Sequence, residues 1–360
     1  MRERRRRFPY ARRVGASILA VAGLAWGVRF LAGSGWLDRV YTRGLYPKVG
    51  EVLHAATAWT NVPLSGLVLT VFVGLSLWQL RVAWRRGYNP ATRMLNALWA
   101  TTCAAALAST LFLLTWGYNY GRPSVRELYR LDAGALPASA LWAELRATQD
   151  SATRYVTSGP PPPREWQLAE VIRQSRATFE RYGLAVRERV ALKRTPPGWL
   201  LRFGTSGVYF PVTGEAHYDA ALHAVQKPFV AAHELAHGQG ITDEGEANLM
   251  AYLTLQASAE PTLRYAGHLG YFRYLGSALR RLDPTAYAAY RDSLPAAILT
   301  DLDEINLANR RFAEVAPALR DAVYDSYLRS QGVREGMGSY SRVIDLIVAW
   351  RRRPLEPRES

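Results

Sequence analysis

KPFVAAHELAHGQGITDEGEANLMAYL, residues 227–253, is the stretch from which the rest of the chain can be read. It contains His233-Glu234-Leu235-Ala236-His237. On a helix, residues four apart project from one face, so both imidazoles can reach a single ion while Glu234 stands beside them. The local grammar agrees with a helix. Pro228 suits a first turn, where its missing N–H is not needed. Val230, Ala232, Leu235 and Ala236 give an apolar side, and Gly238 and Gly240 end the helix and let the chain turn back. Zinc needs a third protein ligand and one open position for water. Glu244 is the expected ligand, and Glu246 and Asp243 are the alternatives. With Thr242 as N-cap the run DEGEANLMAYL continues as a second helix, so Glu244 offers its carboxylate from the first turn. Asn248, one turn further on, can hydrogen-bond a ligand histidine.

These residue types together imply hydrolysis by metal-activated water. Zn2+ lowers the pKa of its water and polarises a carbonyl, and Glu234 takes the water's proton and passes it to the leaving amine. A donor for the tetrahedral oxyanion is also required, and Tyr340, Tyr265 and His268 are candidates. Upstream, WLLRF (199–203) and VYFPV (208–212) flank GTSG and read as a β-hairpin whose edge could pair with an extended peptide. The rival expectation is a zinc-binding sensor or scaffold in which Glu234 never meets substrate. His54, His217 and His223 receive no role.

Working outward, the charge is uneven. The formal net charge is +15, yet residues 1–93 hold 15 Lys and Arg against Glu3, Asp38 and Glu51 alone. That basic third also contains three apolar runs at about 14–32, 62–80 and 95–117. Each approaches the 20 or so residues that cross roughly 30 Å of hydrocarbon. The pairing of basic flanks with apolar runs points to a lipid bilayer and away from nucleic acid. MRERRRRFPYARR before the first run and RVAWRRGYNPATR after the second carry most of the arginine. The positive-inside rule therefore places the N-terminus in the cytoplasm and everything after about Tyr118 on the far side. The single Cys103 excludes an intramolecular disulfide framework and reads as a small buried hydrophobe. Beyond the third run, Pro123–Tyr155 has a helical pattern, and SGPPPPREW (158–166) reads as a stiff linker. After residue 222 the pattern is helical near 226–238, 243–258, 262–282, 301–330 and 339–352.

The chain resembles an uncharacterised bacterial membrane family known only as domain of unknown function thirty-eight-ten. The blocks that carry the resemblance are TWGYNYGRP (115–123), FPVTGEA (210–216), AAHELAHGQG (231–240), DEGEAN (243–248) and QGVREGMGSYSRVIDLIVAW (331–350). More distantly, HELAH with EGEAN is similar to Glu-ligand zinc metallopeptidases. That likeness implies His233, His237 and Glu244 as ligands and Glu234 as general base, with Asn248 standing where many such peptidases have Asp. The expectation is thus a mainly α, α+β protein of the bacterial cytoplasmic (inner) membrane. Residues 1–117 form the three-helix anchor and 118–165 a membrane-proximal helical segment and linker. Residues 166–360 form a zincin-like extracytoplasmic domain, acting on peptides or proteins of the cell envelope.

Overall fold

The computed structural model describes residues 2–87, 89–132, 134, 136–156, 164–315, 317–318 and 342–353. The chain forms two units, Met1–Arg122 with Phe210–Gly214, and Pro123–Tyr209 with Glu215–Ser360.

In the first unit the helices are α1 (Arg2–Leu31), α2 (Tyr46–Thr57), α3 (Leu64–Arg85) and α4 (Pro90–Thr115). Three of them hold segments long and apolar enough to cross a membrane: Arg12–Leu31, Leu64–Arg85 and Pro90–Thr115. Their starts follow capping chemistry. Pro63 precedes α3, and Asn89 caps α4 by accepting from the Thr92 N–H at 2.9 Å. Both α1 and α3 pack on α4. No residue of α3 is buried, and Leu67, Leu69, Val71 and Leu77 all stand exposed. Such a surface is unfavourable in water and at no disadvantage in hydrocarbon. Between α1 and α2, residues Leu37–Leu45 form a π-helical segment. Its Thr42 hydroxyl lies 3.1 Å from Asn119 Oδ1, and Tyr41 donates to the Leu114 carbonyl at 3.0 Å. The GYN step after α4 is thereby tied down by polar groups. Cys103 is buried.

The second unit is mainly helical around one small sheet. A short turn, Val125–Leu128, leads to α5 (Ala138–Tyr155) and α6 (Arg164–Arg181). Then come β1 (Ala191–Thr195), β2 (Gly207–Phe210) and β3 (Glu215–Asp219). They are followed by α7 (Lys227–Gly238), α8 (Glu244–Gln256), α9 (Pro261–Leu282), α10 (Pro284–Asp292), α11 (Ala296–Arg310) and α12 (Arg342–Arg352). The sheet order is β1-β3-β2, with β1 and β3 parallel. The link from β2 to β3 is too short for a crossover, so that pair is a hairpin. The core lies where α7 and α8 pack on each other and α8 packs on α6, α9 and α12. Every residue of α8 from Glu244 to Leu255 is buried.

The structure corrects the expected hairpin. Residues 199–203 are not a strand: Leu201–Phe203 form a single 3-10 turn. Asp219 causes this, since its carboxylate accepts from the N–H groups of Gly198 (2.7 Å), Leu200 (2.8 Å) and Leu201 (3.2 Å). A carboxylate that collects three donors within four residues closes the chain into a turn and denies them to a ladder. The strand partner of VYF is therefore EAHYD. The Pro123–Tyr155 stretch is also interrupted, and α10 was not foreseen. Ser158–Pro163 of the linker and Tyr340 lie outside the described residues.

Candidate metal centre

The site begins with how α7 ends. Gly240 adopts φ +91°, its N–H bonds the His237 carbonyl (2.9 Å), and the Ile241 N–H bonds the Ala236 carbonyl (3.1 Å). This is a Schellman closure, and it needs a residue tolerant of positive φ. A buried amide and guanidinium reinforce it. Gln239 accepts from the Arg187 N–H at 2.6 Å and donates to the Arg187 carbonyl at 3.1 Å. Arg187, 1 % exposed, also donates to the Gly238 carbonyl at 3.2 Å. The chain then turns into α8, whose N-cap is Asp243 rather than Thr242: its Oδ1 accepts from the Glu246 N–H at 3.0 Å.

This turn brings three ligand atoms together. Glu244 Oε2 lies 3.2 Å from His233 Nε2 and 3.6 Å from His237 Nε2, and the two Nε2 atoms are 3.1 Å apart. Donors about 3.3–3.4 Å apart are what a tetrahedral ion with bonds of about 2.0–2.1 Å requires. The other ring nitrogens fix the tautomers. His233 Nδ1 is 2.9 Å from Asn248 Oδ1, and Asn248 Nδ2 donates to the Glu244 carbonyl at 2.8 Å, which sets the orientation of the amide. His237 Nδ1 is 2.8 Å from the Ile241 carbonyl. Both partners are pure acceptors, so each Nδ1 carries its proton and each Nε2 presents a lone pair. Two lone pairs and a carboxylate then face one point, an arrangement that repels itself unless a cation sits there.

The neighbouring acids draw positive charge to this point, a proton on His237 when no ion is held. Burial alone would lower the pKa of His237, yet it is raised to about 9 because Glu244 and Glu234 stand beside it. Burial works against the charged form of Glu244 as well, and His237 and His233 nevertheless hold it well below the usual carboxylate range. Glu234 moves the other way, pushed up by burial against the pull of the histidines.

Glu234 lines a cleft of about 740 Å³ together with His233 and Asn248. Its floor depends on Gly207, the first residue of β2, where a Cβ would stand 2.6 Å from Glu234 Oε1. The opposite wall is one face of α9, including Gly270, Arg273, Tyr274, Ser277 and Arg280. Tyr274 donates to Asn248 Oδ1 at 2.9 Å, and burial keeps its hydroxyl protonated, with a pKa pushed up to about 12.

Of the remaining candidates, Asp243 is occupied as N-cap and pairs with Arg342 at 2.9 Å, and Glu246 accepts from the Arg126 N–H at 2.9 Å. Neither joins the ligand group. Tyr265 donates to Asp301 at 2.5 Å, and His268 stacks on Tyr155 at 5.7 Å; neither lines the cleft. Tyr274, nine residues after Tyr265, emerges half a turn round the helix from it, on the cleft side. Sequence reasoning missed Tyr274, Arg273 and Gly207. The helical face that carries Gly270 and Ser277 was the available signal for the first two. Among the described residues one other group gathers ligand atoms, His223 with Asp301 and Glu304.

A family model described as a protein of unknown function, DUF3810, matches residues 41–348. No curated protein and no solved structure matches the chain.

Proposed function

The chain belongs to the DUF3810 family, whose description assigns no activity, and we propose that it is a membrane-anchored zinc-dependent peptidase. The observation that carries this reading is the convergence of His233 Nε2, His237 Nε2 and Glu244 Oε2, with both Nδ1 protons committed to acceptors. His233, His237 and Glu244 would hold the ion. Bound there, zinc lowers the pKa of a coordinated water and polarises a carbonyl.

The chain's own groups do the rest. Glu234, next to a ligand and facing the cleft, takes a proton at its carboxylate and returns it to the leaving amine. Its burial favours the first half of that cycle, since a raised pKa makes a carboxylate a better base. Asn248 and the Ile241 carbonyl orient the two imidazoles. Tyr274, which lines the cleft, takes the place of Tyr265 and His268 as candidate donor to a developing oxyanion, its hydroxyl exchanging the bond to Asn248 for one to the substrate. The substrate's form follows from β2. This strand is an edge of the sheet and opens into the cleft at Gly207, so an extended peptide can add alongside it. The basic leader and the basic stretch after the second span favour a cytoplasmic N-terminus, with the site outside the cytoplasm of a bacterial inner membrane. Peptides or proteins of the cell envelope are then the substrates within reach.

The test is zinc content and quenched-peptide cleavage by the full-length protein in detergent, wild type beside Glu234→Gln. About one zinc in both, with turnover reduced about 10²–10⁴-fold in the variant, is expected. Zinc in both and cleavage in neither would favour the sensor or scaffold reading. A folded wild type that takes up no zinc would overturn the proposal.

A further inference from the structure

The cleft has an electrostatic asymmetry that metal and base do not use. Its described lining includes Arg273, Arg280 and Arg291 but a single carboxylate, Glu234. Arg291 is neutralised by its ion pair with Asp303. Arg280 is exposed to solvent. Arg273 is different: it is partly buried, and among the described residues it has no hydrogen-bond or ion-pair partner. Burial pulls its pKa down, and Tyr274 is the neighbour that partly offsets this. A guanidinium taken out of water without an anion is unfavourable, and folded proteins normally supply a partner.

Its position says where such a partner would be. Arg273 adjoins Tyr274, whose hydroxyl is bonded to Asn248, the residue that holds His233. Arg273 itself lines the cleft that His233, Glu234 and Asn248 also line, so a partner for its guanidinium would lie in that cleft. Arg280, two turns along the same helical face and about 10 Å away along the axis, extends the positive wall outward. Guanidinium matches a carboxylate with two parallel N–H···O bonds, a geometry an ammonium cannot reproduce.

We propose that Arg273 binds a carboxylate of the substrate, so that the cleft selects peptides presenting an anionic group close to the scissile bond. The proposal rests on the zinc-peptidase reading above. The carboxylate can be a chain's C-terminus or an acidic side chain, and both present the same chemistry to Arg273.

The experiment uses the full-length, zinc-loaded protein in detergent micelles, with Glu234→Gln as background to prevent turnover. Three hydroxamate-bearing dipeptide probes are titrated by calorimetry: Phe-Ala with a free carboxylate, Phe-Ala amide, and Phe-Glu amide. At least one acidic probe should bind tenfold or more tighter than the neutral amide, and which one does identifies the source of the carboxylate. Adding Arg273→Gln should bring the three within about twofold while zinc content stays at one. Arg273→Lys keeps the charge if the Gln variant does not fold, and should lose most of the preference because the bidentate fork is gone. Equal affinities in a zinc-loaded protein would overturn the carboxylate site and leave the metal reading standing. A preference that survives Arg273→Gln would overturn the assignment to this residue. Absence of zinc together with absence of binding would overturn both readings, and the zinc assay on the same sample separates that case from the others.

Discussion

The second unit assembles His233–His237–Glu244 and His223–Asp301–Glu304 from imidazoles and carboxylates, and each group draws its ligand atoms into one small volume. What stands behind the side chains separates them. In the first group both histidines have Nδ1 on a fixed acceptor, Glu244 is in the first turn of a buried helix, and His237 and Glu244 are each 8 % exposed. In the second, His223 Nε2 bonds Glu304 directly at 2.9 Å, Glu304 is exposed, and Asp301 already accepts from Tyr265. The second is a half-exposed side-chain contact with a neighbour, worth little and needing no cation. Proximity of ligand types is therefore a weak criterion; lone pairs forced together by outer hydrogen bonds are a strong one.

The largest effect that could break this contrast is loss of metal. Glu244→Ala should abolish stoichiometric zinc binding by the purified protein, while Glu304→Ala should leave one zinc per chain. Equal loss from both would mean that the contrast has been misread.

The next effect sharpens the role of the outer bonds. Asn248→Ala frees His233 to choose either tautomer and should weaken zinc about 10–100-fold in a competition titration. Tyr274→Phe removes one donor to the same amide oxygen and should weaken zinc less than Asn248→Ala. If Asn248→Ala leaves affinity unchanged, orientation by that amide contributes nothing.

How much of this was legible in sequence depends on how far each partner lies along the chain. His233, His237, Glu244 and Asn248 span sixteen residues, and helical spacing with one glycine turn relates them all. The grouping was readable for that reason, with Glu244 expected ahead of Glu246 and Asp243. In the structure, backbone N–H groups at Arg126 and in the first turn of α8 hold the other two acids. The three apolar helices were readable from composition alone, since hydrocarbon asks only for length and apolarity. Residues 199–203 were misread because their fold is set by Asp219, which a local pattern does not include. Tyr274 and Arg273 escaped notice because only the packing of α9, with Gly270 admitted against Phe229, tells which face becomes the cleft wall.

A smaller change probes the cleft floor. Gly207→Ala would put a methyl 2.6 Å from Glu234 Oε1 and 2.8 Å from the His217 carbonyl, displacing the base without touching a ligand. Peptide turnover should fall roughly tenfold, because a base displaced from its hydrogen-bond reach works less well, with zinc content unchanged. Unchanged turnover would show that Glu234 does not need its present position.

The smallest effect concerns the histidine that the cleft does not use. His268 is as buried as His237, at 6 % exposure, yet its pKa is lowered to about 4, by burial first and then by Arg351, Arg264 and Arg154. Tyr155 stacks on its ring and Tyr252 meets it edge-on. Acids around His237 thus raise its pKa against burial, whereas at His268 burial and the arginines act in the same, lowering direction. An unfolded chain protonates this histidine near pH 6.5, whereas the folded chain resists until about pH 4. The unfolded state therefore binds the extra proton across that window. The stability from keeping His268 neutral is complete above pH 6.5, and it declines as pH falls towards 4, by at most about 3 kcal/mol. Replacing His268 by Gln removes the titration. The thermal midpoint of the variant should therefore change less between pH 7 and pH 5 than that of the wild type, followed by tryptophan fluorescence in the same detergent. Parallel pH profiles for the two proteins would mean that burial and the arginines around His268 do not keep it neutral, and the contrast with His237 would then lose its electrostatic basis.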